Sequence, residues 1–472
     1  MMPPAWADER DDKIKALEKK LQELDERYRT LEKKLESQQK PPPPNEPSPT
    51  DESASEKAST LSPGYKDAFT IRSANSNFVA RLRGILQVDS RTFVDDGGIK
   101  GNDTFTLRRA RPILGGTVFR DFDFLFVPEF GGSGSPSIRY AYLNYTYNPA
   151  VQARIGKFKV PVSLEQLQSD YNTLFIERAF VSSLAPSSDL GVQLHGEIWR
   201  GKEADTQRLS ARGALNYSVG VFNGVGDGRT SENIDFDDQK DIVARIFAHP
   251  FLNTDIRFLK GLGLGIAGSY GHQEGPQGLP LKNGFATDAF QTFFTYRTGA
   301  GTGDATANVI ADGAHWRLSP QGYFYYGPFG LLGEYILSSQ ELARQAGPVT
   351  FQTVHNSAWQ IGGSYVLTGE EASHRGVLPR RNFDPRTGHW GAFEVVARYE
   401  YLDVDDGVFT LLADPAMSAT RAAAWGVGLN WYLNRNIQAM FNFVQTDFKG
   451  GSSGAVTRQN ENVFLTRIQL AF

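Results

Sequence analysis

The side chains best suited to chemistry in this sequence are basic residues that recur at two-residue spacing. Arg81 and Arg83 form one such pair, and Lys157 and Lys159 form another. Residues two apart in a β-strand point to the same face, so each pair would present two positive charges together. Such charges, and above all the planar guanidinium of arginine, bind oxyanions. The pattern predicts a basic lining that attracts anions, unless neighbouring acids offset its charge.

A long insertion between two predicted strands holds another candidate. Residues 161–189 are far more than an ordinary turn needs, so we expect this insertion to be functional. It contains one arginine, Arg178. Four acids in the same insertion would weaken a field that attracts anions; they are Glu165, Asp170, Glu177 and Asp189.

Other kinds of site are poorly supported. Two acidic clusters could hold calcium, but neither has the spacing of a twelve-residue calcium loop, so we expect them to face water; they are Asp235, Asp237 and Asp238, and Asp403, Asp405 and Asp406. The seven histidines lack metal-ligand spacing, and no serine lies in a nucleophile-elbow context. We therefore expect no catalytic residue, no metal and no cofactor, and a protein that is not an enzyme.

The elements that would position these residues are strands with one apolar and one polar face. From residue 68 to the end, segments of roughly ten residues alternate between the two kinds of side chain and are separated by turns rich in Gly, Asp, Asn and Pro. In one segment, Leu86 and Val88 alternate with Gln87 and Asp89. About 17 such segments in a row would need several separate cores in a soluble protein, whereas a closed barrel in lipid needs none.

Composition agrees with a membrane barrel. The chain has 48 Gly, 32 Phe and 18 Tyr among 472 residues, yet only 40% of its residues are hydrophobic. No apolar run approaches the ~20 residues of a membrane-spanning helix. The net charge of -4 gives no reason to expect a nucleic-acid partner. Because bacterial barrels have an even number of strands, we predict an all-β transmembrane antiparallel barrel of about 16 strands, with 18 as the alternative.

The first 67 residues have a different organisation. Residues 1–7 resemble the end of an export signal or a disordered terminus, and residues 41–67 are a linker rich in proline and serine. Residues 8–40 predict a coiled-coil helix, which implies self-association, with a lone amphipathic helix as the alternative. Its seam alternates spacings of three and four and consists of Ile14, Leu17, Leu21, Leu24, Tyr28, Leu31 and Leu35.

The last strand has a distinctive apolar face. Phe464, Ile468, Leu470 and Phe472 share this face, and Arg467 lies on the other. A terminal phenylalanine after an alternating strand resembles the signal that the outer-membrane barrel-assembly machinery recognises. We therefore expect Ile468, Leu470 and Phe472 to form an assembly signal.

Residues 68–472 resemble the phosphate-selective porin O and P family. The stretch Leu107-Arg108-Arg109-Ala110-Arg111-Pro112 is one of the segments that carry the resemblance. The others, in the same order as in the family, are residues 84–89, 154–161, 164–169, 175–179, 189–193, 391–394, 397–399 and 429–434. The resemblance implies a 16-stranded trimeric barrel with short periplasmic turns, long external loops and a third loop that folds inward.

The resemblance also implies roles for four arginines. Arg178 would be the arginine of the inward loop, and Arg108, Arg109 and Arg111 would face it from the barrel wall. Arg108 and Arg109 are adjacent, so they must point to opposite faces unless a bulge intervenes or one of them lies at the interface or between subunits.

Together these features predict an outer-membrane porin through which small anions, phosphate or polyphosphate-like, diffuse passively. The expected partners are other copies of the chain as a trimer, outer-membrane lipids, the barrel-assembly machinery and the anions, and the coiled coil would lie in the periplasm. Two alternatives remain. One is a non-specific porin, and the other is a barrel anchor whose coiled coil tethers the envelope.

Overall fold

The structure of the protein is a computed structural model. It describes residues 69–472 except 75–76, 95–100, 133, 202–212, 232, 234, 236, 276–280, 282–283, 300–303, 347–349, 410 and 453–456. Lys19, Gln22 and Glu26 are also described, and all three are helical and exposed. The predicted coiled-coil seam, the linker and the signal remnant lie outside the described residues and remain predictions.

The described chain is mostly β-structure, with nineteen strands. They are β1 (Phe69–Arg72), β2 (Phe78–Phe93), β3 (Thr104–Val118), β4 (Phe122–Glu129), β5 (Ser137–Asn148), β6 (Val151–Lys159), β7 (Ser188–Arg200), β8 (Gly213–Phe222), β9 (Asp241–Ala248), β10 (Leu262–Glu274), β11 (Gly284–Ala286), β12 (Thr292–Thr295), β13 (Val309–Tyr326), β14 (Phe329–Arg344), β15 (Thr350–Val366), β16 (Ala392–Asp403), β17 (Ala419–Tyr432), β18 (Ile437–Gly450) and β19 (Glu461–Ala471). One short α-helix, α1 (Leu164–Leu167), and 3₁₀ turns at Phe180–Ser183, Arg257–Leu259, Ala305–Ala307, Pro385–Thr387 and Asp406–Val408 complete the described elements. Within the described residues, no helix is long and apolar enough to cross a membrane.

Sixteen of these strands close into one antiparallel barrel, which confirms the predicted fold class. Strands β2 to β10 pair in chain order, β10 then pairs with β13, and β13 to β19 continue the order. The barrel closes where β19 pairs with β2. Strand β1 lies beside the first part of β2, at the edge that β19 leaves free. Strands β11 and β12 form a separate hairpin.

The predicted alternation determines which side chains face outward. In β2, Leu86 and Val88 are 44% and 42% exposed, whereas Gln87 and Asp89 are buried inside the barrel. The backbone of Phe472 exchanges two hydrogen bonds with Gly84, at 2.9 and 3.0 Å, and so joins the end of the chain to β2. The apolar faces therefore form the outer wall, as expected for a barrel in lipid.

The two ends of the barrel differ. We call one end the turn end. Strand β2 begins there, β19 ends there, and connections such as 149–150 and 327–328 are very short. Three turn-end connections are longer than the expected short turns: residues 201–212 join β7 to β8, residues 249–261 join β9 to β10, and residues 367–391, the longest, join β15 to β16. The other end, here the loop end, carries the longer connections.

Two loop-end connections fill much of the barrel. Residues 160–187, the inward loop, join β6 to β7, and residues 275–308, the hairpin loop, join β10 to β13 and carry β11 and β12. Apolar side chains of both loops pack together with the inner wall, among them Val181, Phe293 and Ala422. The core of the protein thus lies inside the barrel, where the sequence had predicted only a polar face.

Candidate functional site

The inward loop is held by side chains of the barrel wall. Its backbone carbonyls accept hydrogen bonds from strands around the barrel, and the bonds are Gln87 to Asp170 (3.0 Å), Gln321 to Val162 (2.7 Å), Arg398 to Glu177 (2.9 Å), Asn430 to Leu174 (3.0 Å), Arg467 to Ile176 (2.6 Å) and Gln469 to Tyr171 (3.0 Å). A buried loop must have its backbone polar groups paired, and here the inner wall supplies the partners. The predicted long insertion is therefore a fixed element inside the barrel.

A carboxylate of the wall also fixes the start of this loop. Glu334 of β14 accepts hydrogen bonds from the backbone N–H groups of Leu164 and Glu165, at 2.8 and 3.2 Å. The Ser163 hydroxyl accepts from the backbone N–H of Gln166 at 3.2 Å. These bonds pair the free N–H groups with which a helix begins, so α1 is anchored to one point of the wall.

A β-bulge turns Arg108 and Arg109 to the same side of the wall. Gln87 of β2 lies opposite Arg109 and Val88 lies opposite Leu107, so Arg108 is the extra residue between two paired positions. A bulge of this kind lets adjacent side chains share a face. Arg108 then donates to both carboxylate oxygens of Glu177, at 2.7 and 3.0 Å.

Asp170 of the inward loop is the centre of the arginine cluster. Arg178 donates to it at 2.5 Å, Arg111 also donates to it, and Arg109 lies 3.7 Å away. Burial alone would raise the pKa of Asp170, but the charges of Arg178, Arg111 and Arg109 outweigh burial and hold this pKa well below its ordinary value. The carboxylate therefore stays ionised and offsets part of the positive charge around it.

Two further arginines, which the sequence pattern had not singled out as site residues, join this cluster. Arg467 of β19 donates to both oxygens of Asp89 at 2.7 Å and to Glu177 at 3.1 Å. Arg398 of β16 forms ion pairs with Asp288 of the hairpin loop and with Glu400, at 2.6 and 3.0 Å. The signal for both was their position on the polar face of an alternating strand.

The structure brings together four of the eight predicted basic residues. Arg108, Arg109, Arg111 and Arg178 meet around Asp170 and Glu177. Lys159 lies beside Arg178, because both donate to the Gln168 carbonyl, and the other three lie elsewhere. Lys157 donates to the backbone of Ser231 at 2.6 Å, and Lys159 donates to the backbone of Gln168 at 2.6 Å. Arg81 is exposed and Arg83 half-buried in β2, towards the turn end.

A cavity of about 550 Å³ lies on the turn-end side of the inward loop. Arg154 and Arg245 line it, together with Asn172, His249 and His374. Arg154 donates to the Asn144 side chain at 3.2 Å and covers the ring of Tyr142, at 4.6 Å from its centroid.

Arg245 has similar surroundings. It donates to the Gln321 side chain at 3.0 Å and covers the ring of Phe247, at 4.6 Å from its centroid. Within the described part of the chain, neither Arg154 nor Arg245 forms an ion pair with a carboxylate. Glu197 also lines this cavity but forms no described ion pair with either arginine, so their charges are less compensated than those of the arginine cluster.

A second cavity, of about 430 Å³, lies on the loop-end side. Arg108, Arg139, Arg178, Asp288 and Phe290 are among the residues that line it. Arg139 donates to the hydroxyls of Thr230 and Ser187, the latter at 2.6 Å, and forms no ion pair with a described carboxylate. The inward loop thus separates two polar chambers, and both contain arginines.

Comparison with known proteins gives matches to outer-membrane porins and channels. The family model "Phosphate-selective porin O and P" matches residues 81–472. Porin O of Pseudomonas aeruginosa is 25% identical over 439 residues, which cover 86% of this chain and 91% of that protein. An uncharacterised protein of Aquifex aeolicus is 27% identical over 110 residues, or 22% of this chain and 24% of that one. Among solved structures, the outer-membrane channel DcaP of Acinetobacter baumannii has the same fold, with a TM-score of 0.50 and 14% identity over 85% of this chain and 99% of that chain.

Proposed function

Because the chain belongs to the phosphate-selective porin O and P family, we propose that it is an outer-membrane porin that favours the passive diffusion of small anions. The family and the closed barrel make the protein a porin channel, and the preference for anions, phosphate or polyphosphate-like, is our proposal. The description of the family as phosphate-selective supports this preference.

The observation that carries the proposal is the unequal compensation of charge along the lumen. Arginines of the central cluster are paired with acids, as Arg108 is with Glu177 and Arg467 with Asp89. Arg154 and Arg245 on the turn-end side have amide and aromatic neighbours instead. Fixed charges in a narrow space with low-dielectric walls attract ions of the opposite sign, so these two arginines favour anions.

The arginines of the central cluster would bind anions directly, but their charge is largely offset by acids. Arg178, Arg108, Arg109 and Arg111 line the narrow region beside the inward loop, and each can offer remaining N–H groups to an oxyanion. Their acidic partners lower the net charge there. We therefore expect a moderate preference for anions over cations, with Lys159 adding positive charge beside Arg178 and Lys157 adding it farther away.

The test is the reversal potential of the purified full-length protein in planar bilayers under a gradient of KCl. We expect current carried mainly by chloride, and we expect the double variant Arg154→Gln, Arg245→Gln to lower the chloride-to-potassium permeability ratio by roughly threefold. Arg386→Gln is the control, because Arg386 is an exposed residue of the 367–391 connection whose side chain is 87% exposed.

Each other outcome has a definite meaning. A wild-type permeability ratio near one would make the protein a non-specific porin. A barrel that conducts no ions would favour the alternative of an envelope anchor. If the double variant keeps the wild-type ratio, the turn-end arginines do not carry the selectivity.

We further propose that the protein forms trimers and that the heptads of residues 14–35 associate in the periplasm. The spacing of apolar residues in that segment supports association. In the barrel, β4 and β9 have only 8 residues each, fewer than the ~9–11 of a strand exposed to lipid. The parts of the outer wall that contain these two strands would therefore be suited to contact with neighbouring copies. Removing residues 1–62 and measuring the mass of the detergent-solubilised protein tests whether the heptads are needed; an unchanged mass and unchanged conductance would exclude a role for them in assembly.

A further inference from the structure

The tip of the hairpin loop is fixed at the loop end of the arginine cluster. Phe285 and Phe294 stack at 5.2 Å between ring centroids, and Phe293 contacts Phe180 of the inward loop at 5.7 Å. The carboxylate of Asp288 accepts from Arg398 of the wall at 2.6 Å. Apolar packing and an ion pair thus hold the hairpin inside the barrel, so the residues at its tip have defined positions.

Phe290, at this tip, has an unusual backbone conformation. Its φ is +62°, in the left-handed region that bulky residues rarely adopt. The turn around it explains how the conformation persists: the Phe290 N–H donates to the carbonyl of Thr287 at 2.8 Å, and Gln291 and Thr287 are joined by further bonds. A strained residue held in this way is a reason to look for a function of its side chain.

The ring of Phe290 lies against two guanidinium groups. The Cζ atom of Arg91 is 4.1 Å from the ring centroid, and that of Arg108 is 5.0 Å away. Both are cation–π distances. Phe290 is 44% exposed and lines the loop-end cavity, so its ring stands at the entrance to the cluster.

Arg91 differs from the arginines of the cluster. Arg91 follows Gln87 and Asp89 at two-residue spacing in β2, so it lies on the same face of the strand, and the side chains of Gln87 and Asp89 face the lumen. Within the described residues it forms no ion pair. Its guanidinium therefore has a face covered by Phe290, and its N–H edges form no ion pair with a carboxylate of the described residues.

We propose that Phe290 is a specificity-determining residue that excludes aromatic anions from the loop-end entrance. An aromatic carboxylate binds arginine in two ways, through its carboxylate at the N–H edge and through its ring on the guanidinium face. Phe290 already occupies the faces of Arg91 and Arg108. Small oxyanions need only the N–H edges, so they are admitted, while an aromatic anion loses its stacking contact and meets the Phe290 ring.

The proposal rests on the proposed anion preference, and its test uses a different readout. Permeability of benzoate relative to chloride is measured from reversal potentials with potassium benzoate on one side of the bilayer and KCl on the other. We expect Phe290→Ala to raise this ratio at least about threefold, because it uncovers two guanidinium faces. Phe290→Tyr keeps an aromatic ring and should retain the wild-type ratio.

Two further variants distinguish the effect of the Phe290 ring from the effect of backbone strain and from the loss of a phenylalanine elsewhere in the protein. Phe290→Gly removes the ring and accepts a positive φ without strain, so it should raise the ratio as Phe290→Ala does even if the alanine variant folds poorly. Phe119→Ala is the matched control, since Phe119 also has a positive φ of 50° but lies in the turn-end connection between β3 and β4. It should leave the ratio unchanged.

The outcomes distinguish this inference from the proposed function. If the wild-type protein prefers chloride to potassium but Phe290→Ala and Phe290→Gly keep its benzoate-to-chloride ratio, the inference is wrong and the proposed function stands. If the wild-type protein shows no preference for chloride in a KCl gradient, the proposed function is wrong. An equal rise in Phe290→Tyr or in Phe119→Ala would also overturn the role of the Phe290 ring.

Discussion

At the scale of the single residue, Arg178 has two roles. It supplies a positive charge to the lumen, and it holds together two parts of the inward loop. Its guanidinium donates to Asp170 and to the backbone carbonyls of Glu165 and Gln168, the last two at 3.0 and 2.9 Å. Arg178→Ala should lower the anion-to-cation permeability ratio, because Asp170 keeps its charge while one positive charge is lost. Arg178→Lys keeps the charge and should retain most of the selectivity. Reversal potentials that are the same for all three proteins would contradict this assignment.

His374 gives a prediction about pH. It lies in the 367–391 connection and stacks on Tyr323, with ring centroids 5.0 Å apart. Burial and the nearby charges of Arg245 and Arg375 lower the pKa of His374 to about 3. In the unfolded chain this imidazole would take up a proton below about pH 6.5, whereas in the folded protein it stays neutral. Stability should therefore fall as the pH drops from about 6.5 towards 3.

The measurement is the melting temperature in detergent across this pH range. His374→Gln should show a smaller fall in melting temperature than the wild-type protein, because glutamine does not titrate. His389 lies in the same connection but is only half-buried, so His389→Gln serves as the control. A wild-type slope that His374→Gln leaves unchanged would mean that other groups cause the pH dependence.

At the scale of the elements, the anchoring of the inward loop depends on buried ion pairs. Arg467→Gln would leave Asp89 without its two bonds and would remove one bond to the Ile176 carbonyl. Loss of one partner of a buried pair costs about 3 to 5 kcal/mol. We expect a lower free energy of unfolding in urea and noisier single-channel current, since the loop loses a wall contact. The double variant Arg467→Gln, Asp89→Asn removes the unpaired charge and should recover part of the stability; if it recovers none, the ion pair is not the cause.

Strand geometry also shows how far the elements could be predicted. Simple alternation separates Arg108 from Arg109, and only the pairing of β3 with β2 shows that a bulge joins them. The hairpin of β11 and β12 is short and its apolar residues are buried by the inward loop, so no local pattern identified it. Alternation therefore predicted the strands whose faces are set by lipid. The inward loop was expected from its length and from the family resemblance, but the hairpin and the packing of both loops were not predicted.

At the scale of the whole molecule, the outer wall should meet hydrocarbon. Leu86 lies near the middle of β2 and is 44% exposed. Leu86→Arg should destabilise the protein folded in lipid vesicles, lowering its free energy of unfolding by about 2 to 4 kcal/mol, the cost of an arginine at mid-membrane. Leu86→Phe keeps an apolar side chain and should fold like the wild-type protein. Efficient folding of Leu86→Arg into vesicles would argue against a lipid contact at this position.

The sequence by itself determined the barrel and the direction of its faces. Alternation along each strand is a local property, and a closed sheet in lipid is the arrangement that exposes every apolar face while pairing every strand edge. The tertiary structure alone decided which charges meet. Glu177 reaches Arg108 and Arg467, and Asp288 reaches Arg398, across separations of 69 to 290 residues. Such pairs depend on barrel closure, strand register and the path of two loops, and no spacing along the chain encodes them.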